Sequence, residues 1–187
     1  MSGPRELPDG TRPALVDETR VRLAAQERAR RRHLRELDLA EAGLLGTLWD
    51  LAEAQASVVV NTAAGRTVQG TLTTVGADFC SVRTARGVTH LPLEGIAALR
   101  PGPADRRRAA TGVREQPTEV TLHDILAELA VERSTVMLSI QGLDQPVTAT
   151  LAATGRDVLT LLPTEEGDEP LYVPLASLCE VAVFGSG

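Results

Sequence analysis

The strongest constraint on what this chain can fold into is that it contains the same plan twice. Residues 57–100 read SVVVNTAAGRTVQGTLTTVGADFCSVRTARGVTHLPLEGIAALR, and residues 135–184 follow the same course. Six pairings set the register: Val58 with Val136, Leu72 with Leu151, Gly76 with Gly155, Asp78 with Asp157, Pro92 with Pro174 and Ile96 with Leu178. The second copy needs one extra residue before its Gly-x-Asp and three more between that Asp and its Pro-Leu. Those are hairpin-loop positions, where insertions cost little. A unit of about 60 residues buries only about 60% of its unfolded surface, so the two copies are expected to support each other or a partner.

Within each copy β-branched and alternating residues, interrupted by Gly, Pro and Asp turns, predict five short antiparallel strands. They fall at 57–62, 67–74, 79–84, 88–91 and 96–99, and again at 135–141, 145–153, 158–162, 171–173 and 178–184. An open sheet this small would leave a hydrophobic face and two edges bare, so each copy is expected to curl into a barrel. A short amphipathic helix precedes each. Leu44, Leu45, Leu48, Leu51 and Ala52 make one apolar face, and Leu122, Ile125, Leu126, Leu129 and Ala130 make the matching one. Asp38 with Glu41, and Thr121 with Asp124, have the form of capping boxes. The constant spacing to the first strand makes each helix a lid over one barrel, with Trp49 packing at the edge of its stripe. The expected fold is therefore mainly β with helices: two tandem five-stranded barrels, each preceded by an α-helix, plus an Arg-rich N-terminal helix.

The flanking segments differ in charge. Residues 1–16, with Pro4, Pro8, Gly10 and Pro13, are expected to form a disordered tail. Residues 17–37 form a basic helical arm that starts at Asp17 and has no continuous apolar stripe. The first unit spans 38–100, a basic linker 101–117, and the second unit 118–187. Net charge is +2 over 1–40, −1 over 41–100, +2 over 101–116 and −9 over 117–187, where eleven carboxylates face only Arg133 and Arg156. Arg28, Arg30, Arg31, Arg32 and Arg35 of the arm, with Arg106, Arg107 and Arg108 of the linker, are the candidate contacts for an acidic partner or for phosphate. All 19 basic residues are Arg, which we read as codon bias rather than function.

Nothing in the sequence assembles a reaction. His33, His90 and His123 lack a Cys or carboxylate at ligand spacing, so neither metal nor cofactor is expected. Cys80 and Cys179 do not align with each other and read as small buried hydrophobes. Asp78 and Asp157 each follow a Gly in a tight turn (Gly76, Gly155), where a carboxylate usually bonds its own loop. No catalytic residue is assigned. No apolar run of membrane length and no signal peptide is found, so no membrane partner and a cytoplasmic location are expected.

A helix, five short strands, G-x-L with a downstream Asp (Gly70, Leu72, Asp78; Leu151, Asp157) and a closing P-L-x-x-I together resemble the Sm-like barrel. The span from Asp38 to Phe184 looks like two of them in tandem. The resemblance implies an SH3-like five-stranded barrel, rings closed through strands four and five, and single-stranded RNA as the usual ligand. The RNA-contact positions depart from it. Val82 and Leu161 stand where the family carries Asn, and Pro92-Leu93 and Pro174-Leu175 where it carries Arg-Gly, which removes the groups that would meet a base. The order of parts also resembles uncharacterised actinobacterial proteins sometimes labelled Fis-type transcriptional regulators. Such regulators read DNA with a C-terminal helix-turn-helix, whereas LYVPLASLCEVAVF here is a strand pattern. The function expected is a non-catalytic interaction or assembly module with a protein partner. Its monomer or small oligomer would be held by pairing between strands of the two barrels. The alternative is a nucleic-acid-binding regulator that uses the Arg-rich arm and linker for a weak, electrostatic contact.

Overall fold

The computed structural model describes residues 26–28, 30, 43–102, 119–163 and 169–184. Among them, helix α1 (Leu44–Glu53) leads into β1 (Ser57–Thr62), β2 (Thr67–Val75), β3 (Phe79–Thr84), β4 (Gly87–Pro92) and β5 (Ile96–Pro101). Helix α2 (Leu122–Val131) leads into β6 (Thr135–Ile140), β7 (Val147–Thr154), β8 (Val158–Pro163), β9 (Leu171–Pro174) and β10 (Leu178–Phe184). A one-turn 3-10 segment precedes β5 and another precedes β10. The fold is mainly β, and every pairing in it is antiparallel.

The expected closed barrels are not what the hydrogen bonds make. The ladder is one continuous ten-stranded sheet in the order β5-β1-β2-β3-β4-β10-β6-β7-β8-β9, left open at β5 and β9. Neither β4 with β5 nor β9 with β10 is paired, so no half closes on itself through its own strands. The outer edge of β4 is instead taken by β10 of the second half. Each half still curls over its own core. One core gathers Leu48, Leu51, Val58, Val60, Leu72, Val82 and Leu91, and the other Leu126, Val136, Leu138, Leu151, Leu159, Leu161 and Val181.

The repeat holds at the level of single hydrogen bonds. Leu72 N–H donates to Ala56 O and Leu151 N–H to Ser134 O, both at 3.0 Å; Gly76 N–H reaches Phe79 O at 2.8 Å and Gly155 N–H reaches Val158 O at 2.7 Å. The ladder register slips at the same place in both copies, after Leu72 and after Leu151. Both helices also end alike. Gln55 (φ 45°) and Arg133 (φ 54°) adopt the left-handed conformation after the last turn. Ala56 N–H bonds Leu51 O and Ser134 N–H bonds Leu129 O, the six-to-one contact that closes a helix C-terminus.

The helices cover the cores as expected, α1 against β2 and α2 against β7. Leu48 and Leu126, at equivalent positions, are both fully buried. Their starts differ. Thr121 and Asp124 form the expected capping box, while Asp38 and Glu41 lie outside the described residues and α1 begins at Gly43 with no side-chain cap. Leu44 is 45% exposed although its equivalent Leu122 is 6% exposed, because Leu122 sits against the first half.

Candidate functional site

The feature that the fold builds most thoroughly is the joint between the halves. β4 and β10 pair Val88 with Val183, Thr89 with Ala182 and His90 with Val181. Phe79, though it opens β3 of the first half, packs within the core of the second. A Cβ on Gly76 would run into the Phe79 ring, so this glycine is what lets the ring lie over the turn. Ala77 N–H then donates to Val120 O at 2.8 Å, and Leu122 N–H, at the start of α2, donates to Asp78 Oδ1 at 2.7 Å. A carboxylate at a helix N-terminus satisfies an orphan donor and meets the positive end of the helix dipole. The expectation that the Asp78 carboxylate bonds its own loop is thereby corrected: its side chain serves the other half, while its backbone carbonyl accepts from Leu93 N–H at 2.8 Å. In the second copy Asp157 O accepts from Leu175 N–H at 2.9 Å, and Gly155 O accepts from His123 Nε2–H at 3.0 Å.

An ion pair with a buried carboxylate and a partly exposed guanidinium crosses the same joint. Glu180 on β10 is 3% exposed, and its Oε2 accepts from Arg66 Nε–H and from Ser139 Oγ–H, both at 2.9 Å. A buried carboxylate is tolerated only when it is paired and hydrogen-bonded. Arg66→Ala should therefore cost about 1–3 kcal/mol by leaving Glu180 with one donor, the partial exposure of Arg66 keeping the figure from rising further. Chemical denaturation checks it. Adding Glu180→Gln to that variant should recover part of the loss, since the amide can still accept from Ser139.

Across β3 and β4, Ser81 and His90 are register partners, and Ser81 Oγ lies 2.9 Å from His90 Nδ1. This is a nucleophile and a base at hydrogen-bonding distance, on the wall of a groove of about 470 Å³ that Arg83, Val120 and Ile125 also line. Ser81 is only 4% exposed. The His90 ring also meets the Phe79 ring edge-on at 6.1 Å, and among the described residues no carboxylate is bonded to that imidazole. The hydrogen bond ties β3 to β4, the strand that pairs with β10. Burial lowers the His90 pKa from its ordinary 6.5. A group with a depressed folded pKa contributes stability above its unfolded value and loses it as pH falls through the folded one. Stability should decline on acidification below about pH 6.5, and His90→Gln should flatten that part of the curve in denaturant titrations.

A second cleft, of about 530 Å³, lies where the two 3-10 turns and the start of α2 meet; Asp78, Glu94, His123 and Gln141 are among its polar residues. Cys80 and Cys179 are free and buried, as expected, and burial pushes the Cys80 thiol up to about 12. Among the described residues no group of His, Cys, Asp and Glu is arranged to hold a metal, and no helix is long and apolar enough to cross a membrane.

Arg28 and Arg30 are helical and exposed, while Arg31, Arg32, Arg35, Arg106, Arg107 and Arg108 lie outside the described residues. The residues that do build the joint, Phe79, Arg66, Glu180 and the Ser81–His90 pair, have no motif signal. The unlike types at aligned positions, Phe79 against Val158, His90 against Tyr172 and Glu180 against Ala98, are the sign in the sequence that the copies have different neighbours. Comparison of the chain with protein-family models, with curated proteins and with solved structures finds no match to any of them.

Proposed function

We propose that the chain is a non-catalytic interaction module in which two Sm-like units are fused edge to edge into one platform that assembles with a protein partner. The observation that carries this reading is the joint itself: strand pairing, an inserted aromatic, a helix cap and a partly buried ion pair all serve adhesion between the units. The positions where Sm-like proteins carry their RNA-binding Asn also support it. Val82 and Leu161 are fully buried, each in the core of its own half, where no base could reach them. Charge is divided unevenly along the sequence, with −9 over 117–187 and Arg-rich segments at 17–37 and 101–117, which favours a partner recognised through charge.

The test is affinity capture from the native lysate with and without nuclease. A protein partner retained after nuclease treatment is the expected result. Recovery that disappears with nuclease would overturn the reading. So would selective binding to uridine-rich RNA that persists at about 200 mM salt, where purely electrostatic contacts have weakened steeply, and survives deletion of residues 1–37.

A further inference from the structure

We infer that the joint is built to be used once per chain, and that Pro101 and Pro170 prevent a second copy of the chain from repeating it. The repeat has a direction. The first half offers its fourth strand and the second half its fifth, so the equivalent edges, β9 and β5, remain at the two ends of the sheet. A second chain could in principle continue the array by laying its β5 along β9 of the first. Carried through the repeat, Val88 and His90 of the joint become Pro170 and Tyr172, and Val181 and Val183 become Leu99 and Pro101.

Which backbone groups point outward decides what such a contact could bond. Gly102 N–H donates inward to Ser57 O at 2.7 Å, so by strand alternation residues 99 and 101 turn their nitrogens to the open edge. Leu175 N–H donates inward to Asp157 O, so residues 170 and 172 do the same on β9. Inside the chain the outward-facing pairs are Val88–Val183 and His90–Val181. At a joint between chains the first of these becomes Pro170–Pro101, with no N–H on either side. Half the donors of the ladder are gone, and the two pyrrolidine rings meet where hydrogen bonds should form. The inserted aromatic is missing as well, since Val158 stands in place of Phe79. Proline on an exposed edge is a recognised way to block edge-to-edge association.

The prolines can be removed one at a time. In the full chain, Pro101→Val repairs only the β5 edge and Pro170→Val only the β9 edge, so neither variant restores the pair by itself. Mixed in equal amounts they should form a heterodimer that stops at two chains, because its far ends still carry proline. Light scattering should then give the mixture about twice the mass of either variant or of the unaltered chain, and hydrogen exchange at Leu99 and Tyr172 should slow at least tenfold. Two folded variants, shown by unchanged circular dichroism, that do not associate on mixing would overturn the inference. So would slow exchange at Leu99 and Tyr172 in the unaltered chain, which would show this edge already paired.

Discussion

Phe79→Ala should lower the stability of the chain by about 3–5 kcal/mol, the usual cost of emptying a buried aromatic site. The effect should appear in the half to which Phe79 does not belong in sequence. Its side chain is 1% exposed and packs among Leu122, Leu126 and other residues of the second core, so truncation leaves a cavity beneath α2. The surroundings can relax only a little. α2 is tied at its start to Asp78, and Ala77 is tied to Val120, so the turn and the helix cannot move together to refill the space without breaking those bonds. Because the sheet runs unbroken from β4 into β10, loss should register as a shift of one cooperative transition rather than as early melting of one half. Val158→Ala is the control at the aligned position. It removes a partly buried side chain that bridges nothing, and should cost about 1 kcal/mol. Equal costs for the two variants would mean that Phe79 is not the link.

What the sequence made legible was whatever repeats. The strands follow their alternation to within one or two residues, and the core faces of both helices fall where Leu48 and Leu126 recur. The capping box at Thr121 was readable because its two partners are three residues apart. Features that depend on register were not. Ser81 and His90 meet because β3 and β4 pair with one particular offset, and Arg66 reaches Glu180 across 114 positions of sequence. The left-handed caps at Gln55 and Arg133 were hidden for a different reason: glycine is the usual mark of that conformation, and neither residue is glycine.

The joint was hidden by the repeat itself. Aligned residues invite the same interpretation, yet the Asp78 side chain caps a helix of the other half, whereas what recurs at Asp157 is the backbone bond, from Leu175 N–H to its carbonyl. Expecting two closed barrels followed from treating each copy as its own solution to the problem of bare edges. The chain solves that problem once, by giving β4 to β10, and leaves β5 and β9 with prolines.

Leu126→Ala should be the second most damaging change, destabilising the chain by about 2–5 kcal/mol. Leu126 has no exposed surface and lies at the centre of the face by which α2 covers β7, in contact with the core that also receives Phe79. The cost depends on whether the site can collapse. Both ends of α2 are pinned, by the capping box and Asp78 at one end and by the Ser134–Leu129 closure at the other, so the helix should hold its position and the cavity should persist. The value should then lie toward the upper part of the range, a fall in thermal midpoint on the order of 10 °C for a chain of this size. Leu48→Ala, at the equivalent place in α1, should cost less, because α1 starts at an uncapped Gly43 with Leu44 exposed and can settle inward over the gap. Thermal denaturation of the two variants side by side tests both statements. A change near zero for Leu126→Ala would mean that α2 does not cover the second core, and the helix cap at Asp78 would then lose its structural reason.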